Sequence, residues 1–161
     1  MTTQTLIEAM EKLLDLHKEL LQTANEKTTA LKSNDVEELT KLLRNEQKLA
    51  ASIQITNNKR QQVAELLANG NKEVTISDII EMLEGAEQER LLQLQAQLGS
   101  VITQLKEVND LNQQLLKLSL QFIHLNLDLM APELDNANYT KTRNETNDHA
   151  SPSRTILDSK A

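Results

Sequence analysis

The chain has 161 residues, with 17 Lys and Arg against 24 Asp and Glu, and a net charge of −7. This acidic balance, with no cluster of basic residues and no aromatic platform, argues against nucleic acid or an anionic membrane surface as partner. Cysteine is absent, which excludes disulfides, thiolate metal sites and cysteine nucleophiles.

Three glycines and two prolines interrupt a sequence dominated by Leu, Gln, Glu, Asn and Lys, so the long stretches between breakers read as helix and the chain as all-α. With one Phe, one Tyr and no Trp, leucine packing between helices has to take the place of an aromatic core. Met1 to Leu6 carries no basic stretch and no continuous apolar run follows it, so a secretory signal is not expected. No apolar run approaches the roughly 18 residues of a membrane span, and the expected location is cytoplasmic, without membrane insertion.

From Thr5 to about Lys32 the apolar or small residues Leu6, Met10, Leu13, Leu20, Ala24 and Leu31 recur at helical spacing, interrupted at His17 and Lys27. Ser33-Asn34-Asp35 breaks the pattern, with Asn34 as the expected N-cap and Glu37 three residues on. So short a connection predicts an antiparallel hairpin. The second helix is expected over 35–69, with Val36, Leu39, Leu43, Ala50, Ile53, Ala64 and Leu67 on its seam and Gly70 at C′. Glu46, Asn57 and Arg60 fall on the same stripe, where polar residues set register or mark the end of a partner helix. Thr75 and Asp78 have N-cap and N3 spacing for a short helix over 76–83, placed as a lid over the open end of the hairpin. A last helix is expected over 86–131, stopped by Pro132. Residues 133–161 are rich in Asn, Thr, Asp and Ser and read as a disordered tail. The expected architecture is thus a helical domain over 1–132, an elongated bundle or coiled coil, followed by that tail.

The last helix is asymmetric. At about 100° per residue, Leu91, Leu94, Leu98, Val101, Ile102, Leu105 and Val108 form one stripe, continued by Leu116, Leu120, Ile123, Leu127 and Met130. Its C-terminal half adds a second file, Leu111, Leu115, Leu118, Phe122, Leu125 and Leu129, centred roughly 140° away. A two-helix hairpin accounts for one stripe. The second file either sits deep between the other helices or receives a further partner: a second copy of the chain, the lid helix, or a helix from a client. Ser119 and Asn126 lie between the files as a narrow polar strip that orients a bound helix.

Catalytic patterns are missing. There is no Gly-rich phosphate loop, no Glu-x-x-His pair of the di-iron bundles and no Ser/His/Asp arrangement. His124 and Asp128 share a helix face at i, i+4, but two ligands make a poor site, so no metal and no cofactor is expected. A helical-bundle enzyme is accordingly disfavoured.

With that architecture the chain resembles the FlgN family of flagellar type III export chaperones, in its Gram-positive form. The resemblance is carried by Leu13-Leu14-Asp15-Leu16-His17-Lys18-Glu19-Leu20 in the first helix and Ala30-Leu31-Lys32-Ser33-Asn34-Asp35-Val36-Glu37-Glu38-Leu39 at the hairpin. Glu46-Gln47-Lys48-Leu49, Leu115 to Met130, and the closing Arg154-Thr155-Ile156-Leu157-Asp158-Ser159-Lys160-Ala161 complete it. What the resemblance implies is a non-enzymatic protein that binds the C-terminal helices of the hook-filament junction proteins FlgK and FlgL and delivers them to the export gate. The file Leu111, Leu115, Leu118, Phe122, Leu125 and Leu129 is the expected client seat. In similar chaperones a tyrosine beyond the client-binding helix contacts the gate protein FlhA, and Tyr139 is the only tyrosine here. Ile156 and Leu157 stand as a short apolar motif in the tail, for docking or for covering the empty client seat. The alternative is a structural coiled-coil protein or adaptor that forms a homodimer through the C-terminal half of the last helix.

Overall fold

A computed structural model of the chain describes residues 2–130. Among these the element order is α1 (Thr3–Ser33), α2 (Val36–Leu67), α3 (Ile76–Met82) and α4 (Gly85–Met130), with no strand. The all-α architecture expected from the sequence is present, an antiparallel hairpin followed by a short helix and one long helix. The chain divides into two units, Met1–Leu116 and Lys117–Ala161. The expected tail over 133–161 lies outside the described residues.

The α1–α2 turn departs from expectation in its capping. Asn34 does not cap α2; it ends α1 in the left-handed region, with φ of 55°. The Asp35 N–H reaches the Ala30 carbonyl at 3.0 Å and the Asn34 N–H the Leu31 carbonyl at 3.4 Å, the two bonds of a Schellman closure. Asp35 then caps α2, its carboxylate accepting the Glu38 N–H at 3.1 Å. One residue stops a helix and the next starts another, so the chain reverses within two residues. The α2 terminus repeats the motif with Asn69 at C′, φ 56°, one residue before the expected Gly70. The Gly70 N–H closes it on the Glu65 carbonyl at 2.8 Å.

α1 is the central element of the first unit. Leu6, Met10, Leu13, Ala24 and Leu31 are buried as the spacing predicts, and Ile7 and Leu14 bury a second side of the same helix. The inward seam of α2 matches the expected one in part, with Ala64 in the core and Ile53 and Leu67 packed against it, and departs from it at Val36, Leu43 and Ala50. Leu42, Leu49, Thr56 and Val63, seven residues apart, are buried together with Ala64, whereas Val36 and Leu43 are exposed. The two candidate files are neighbours on the helix, about 100° apart. The file that presents Leu49 and Val63 to the core buries more apolar volume than the one presenting Ala50 and Asn57.

The principal core gathers Leu6, Ile7, Met10, Leu13 and Leu14 of α1, Val63 and Ala64 of α2, Val74, Ile79 and Ile80, and Leu91, Leu94 and Val101 of α4. Leu6, Val63, Ile79, Leu91 and Leu94 are almost fully enclosed, and each contributes about 1.5–3 kcal/mol of burial. The short helix α3 covers the open end of the hairpin through Ile79 and Ile80, as expected. Its capping box is also as expected: Thr75 Oγ1 accepts the Asp78 N–H at 3.2 Å and Asp78 Oδ2 accepts the Thr75 N–H at 2.8 Å. Gln88 Nε2 donates to the Ile80 carbonyl at 2.9 Å and Gln95 Nε2 to Ser77 Oγ at 2.9 Å, fixing α3 on α4.

Farther along, the packing turns polar. Lys27 Nζ and Glu46 Oε2 pair at 2.8 Å, and Asn45 Nδ2 donates to Thr23 Oγ1 at 3.0 Å. Asn112 of α4 is 5% exposed. Its Nδ2 donates to the Ala24 carbonyl at 2.9 Å and its Oδ1 accepts from the Thr28 hydroxyl at 2.6 Å. These groups are mutually satisfied, and no buried side-chain nitrogen or oxygen among the described residues lacks a partner. A satisfied polar layer in a helical seam fixes register where leucines alone would slide.

Candidate functional site

Helix α4 decides where an unmet surface lies. Its buried residues are Leu91, Leu94, Val101, Leu105 and Asn112, a seam in steps of three, four and seven, with Leu98 and Val108 partly buried at the intervening places. Continued by sevens, the seam passes from Asn112 to Ser119 and Asn126. These two are the only residues of 117–130 that are not exposed. The expectation that the inward stripe drifts from Val108 to Leu116, Leu120, Ile123, Leu127 and Met130 is therefore corrected. A straight helix of 3.6 residues per turn drifts by about 20° per heptad from a 3.5-residue seam, and over four heptads this moves the reading to the neighbouring file. Ile102, placed on the stripe, is likewise exposed.

No residue of α4 after Asn112 is buried among those described. Leu118, Phe122, Leu125 and Leu129 of the expected client seat are 61, 63, 58 and 72% exposed. Leu111 is exposed and Leu115 half-buried; both belong to the first unit, whereas Leu118 to Leu129 belong to the second. Leu120, Ile123, Leu127 and Met130 of the other file are exposed too. Eight of the fourteen residues of Lys117–Met130 are thus large, apolar and open. With on the order of 100 Å² of open side chain each, they present roughly 800 Å² in all, shared between two files about 140° apart on the helix. Tyr139, Ile156 and Leu157 lie outside the described residues.

No catalytic geometry accompanies this surface. His124 and Asp128 are exposed, and no group of three or more potential metal ligands occurs among the described residues. No helix among them is long and apolar enough to cross a membrane. The half-buried Arg60, placed by the sequence on the α2 stripe, lies in the first unit. It lines a groove of about 640 Å³ with Met10, Leu13, His17, Ile53, Leu98 and Ile102 among its other walls. Burial pulls its guanidinium below the ordinary value. Neither this groove nor Asn112 was legible in the sequence, because the residues involved come from elements far apart in the chain.

The fold and surface define an all-α protein that carries an open leucine-rich helix face. The family model described as FlgN protein matches residues 1–147, and the chain belongs to that family. FlgN proteins are flagellar export chaperones that bind flagellar proteins, not an enzyme family. The chain is similar to the uncharacterized protein YvyG of Bacillus subtilis (strain 168), with 37% identity over 142 residues, 88% of this chain and 89% of the relative. No solved structure matches.

Proposed function

We propose that the chain is a cytoplasmic export chaperone for the hook-filament junction proteins FlgK and FlgL, holding their C-terminal helices before type III export. The observation that carries this is the open apolar face of α4 from Leu118 to Met130 in a member of the FlgN family. About 800 Å² per partner is what a standard specific interface buries, and Leu118, Phe122, Leu125 and Leu129 supply about half of it. A client helix lays leucine-type anchors at i, i+3, i+4 and i+7 against Leu118, Phe122, Leu125 and Leu129, with Leu111 and Leu115 extending the seat. Ser119 and Asn126 occupy the seam places that follow Asn112, and a client offering hydroxyl or amide groups at matching depth gains what Thr28 gives Asn112 within the fold.

In this reading residues 1–132 form the chaperone domain and 133–161 a tail that carries the contact with the export gate. Tyr139 docks on FlhA, and Ile156 and Leu157 act as an apolar motif of that tail. Calorimetric titration of the full chain with C-terminal peptides of FlgK and FlgL tests the client assignment. Saturable binding that Leu118→Asp with Phe122→Asp removes is the expected result, and a wild type that binds neither peptide sinks the reading. For the gate, Tyr139→Ala is expected to keep client affinity and lose export; unimpaired export takes Tyr139 out of the mechanism. The same exposed face also suits self-association of two copies. Light scattering separates the two readings, since a homodimer interface requires an oligomer that the Leu118→Asp, Phe122→Asp variant dissociates.

A further inference from the structure

The groove beside Arg60 shares no residue with the proposed client seat and stands independently of it. Its floor is Met10 and Leu13 of α1, both 3% exposed. One wall is α2, with Ile53, Asn57 and Arg60, the other α4, with Leu98, Gly99 and Ile102, and Val74 to Ile76 line it from the segment entering α3. At 1.5 Å per residue, Met10–His17, Ile53–Gln61 and Gln95–Ile102 each run about 10–12 Å, two helical turns. Gly99 widens the slot: a Cβ built there meets no atom within 4 Å.

The charge in this groove is unanswered. Arg60 donates from Nε to Asn57 Oδ1 at 2.9 Å and from Nη2 to Gln61 Oε1 at 3.3 Å, both neutral amides. Although the protein carries a net charge of −7, no ion pair reaches Arg60 among the described residues. His17 also lines the groove; its Nδ1 donates to the Leu13 carbonyl at 2.7 Å, leaving Nε2 for a ligand. A half-buried guanidinium over an apolar floor is matched by a carboxylate borne on an apolar body.

We propose that this groove is a second polypeptide-docking site, and that it takes a short amphipathic helical segment whose acidic side chain pairs with Arg60. Two apolar side chains four residues apart seat on Met10, Leu13, Ile53, Leu98 and Ile102, while a glutamate or aspartate on the same face reaches the guanidinium in a two-pronged hydrogen bond. A groove flanked by two helices, two turns long and open along its outer side, fits a helix better than an enclosed small molecule.

The test uses the full chain, labelled with ¹⁵N, and alanine-based helical peptides that carry two leucines four apart and one glutamate or, in its place, glutamine. Amide shifts are expected at Met10, Leu13, Ile53, Leu98, Gly99 and Ile102, with the glutamine peptide binding about tenfold more weakly. On Arg60→Gln the two peptides bind equally. Gly99→Leu, which fills the slot with a better helix former and leaves the charge in place, abolishes binding by both and keeps the assay valid should Arg60→Gln fail to fold. The proposal is overturned if glutamate and glutamine peptides bind wild type alike, if no shifts appear, or if they map to residues 118–129. Decanoate that shifts the same amides when neither peptide does so overturns the peptide assignment in favour of a small amphiphile.

Discussion

Phe122→Ala separates a binding surface from a core more sharply than any other single change. The side chain is 63% exposed, so of the roughly 200 Å² that a phenylalanine can bury, about 125 Å² stays open. Covering it with a client helix at about 25 cal/mol per Å² is worth about 3 kcal/mol, or about a hundredfold in Kd. Its loss from the free protein costs little, about 0.5 kcal/mol or less for a surface position, and alanine is the better helix former. Calorimetry with FlgK and FlgL peptides is expected to show the hundredfold weakening, while the thermal melt followed by helical circular dichroism moves by a few degrees at most. Binding within threefold of wild type refutes the seat. A melting point lowered by about 10 °C or more refutes the premise, since it places Phe122 in a core.

The remaining expectations concern the body that presents this helix. Leu94, fully enclosed, is the converse of Phe122: Leu94→Ala is expected to cost about 2–5 kcal/mol in urea unfolding and to leave affinity per folded molecule unchanged. Asn112→Ala, which removes both hydrogen bonds to α1, is expected to cost about 1–3 kcal/mol, and a double-mutant cycle with Thr28→Val should return a coupling of about 1 kcal/mol. Additive effects in that cycle contradict the assigned bond. Asp78 is held below the usual carboxylate range by the Thr75 N–H and then the Thr75 hydroxyl. Because the folded value is depressed, its contribution is present above the unfolded value near pH 4 and is lost as pH falls through the folded one. The protection factors of the amides at the start of α3, corrected for the intrinsic pH dependence of exchange, should therefore fall with acidification in wild type but stay level in Asp78→Asn.

Helix count and boundaries were legible because capping residues, breakers and leucine spacing agree with one another in this sequence. What failed was the choice between adjacent files. In α2 the pairs Leu42–Leu43 and Leu49–Ala50 let two seams compete, and only the packed partner shows that Leu42 and Leu49 turn inward. The capping error has a similar origin, since Asn34 and Asp35 both cap well and only the left-handed φ of Asn34 assigns them to different helices. The residues of the proposed client seat were legible as a file of leucines and one phenylalanine, and the structure adds their exposure. A polar seam residue such as Asn112 was invisible because its value depends on Thr28 and Ala24, more than eighty residues away.

That polar seam also bears on why so apolar a helix face can be specific. Were Ser119 and Asn126 leucines as well, the two apolar files of residues 117–130 would merge into one broad face on which an amphipathic helix could slide. Instead the heptad places held by Leu91, Leu98 and Leu105 pass to Asn112, Ser119 and Asn126, and at the first of these three the fold itself shows the consequence. Asn112 accepts a hydroxyl and donates to a carbonyl only when α1 stands at one axial offset; a slip of one turn would leave its amide enclosed and unpaired, at about 1–3 kcal/mol. In the proposed seat a client on the next two places would meet the same rule, with its leucines supplying affinity on either side and the polar strip admitting one register. On this reasoning Asn126→Leu tightens binding of any amphipathic helix while eroding the preference for the correct one, so affinity and selectivity move in opposite directions. A selectivity that survives the substitution would show that the leucine files alone set the register.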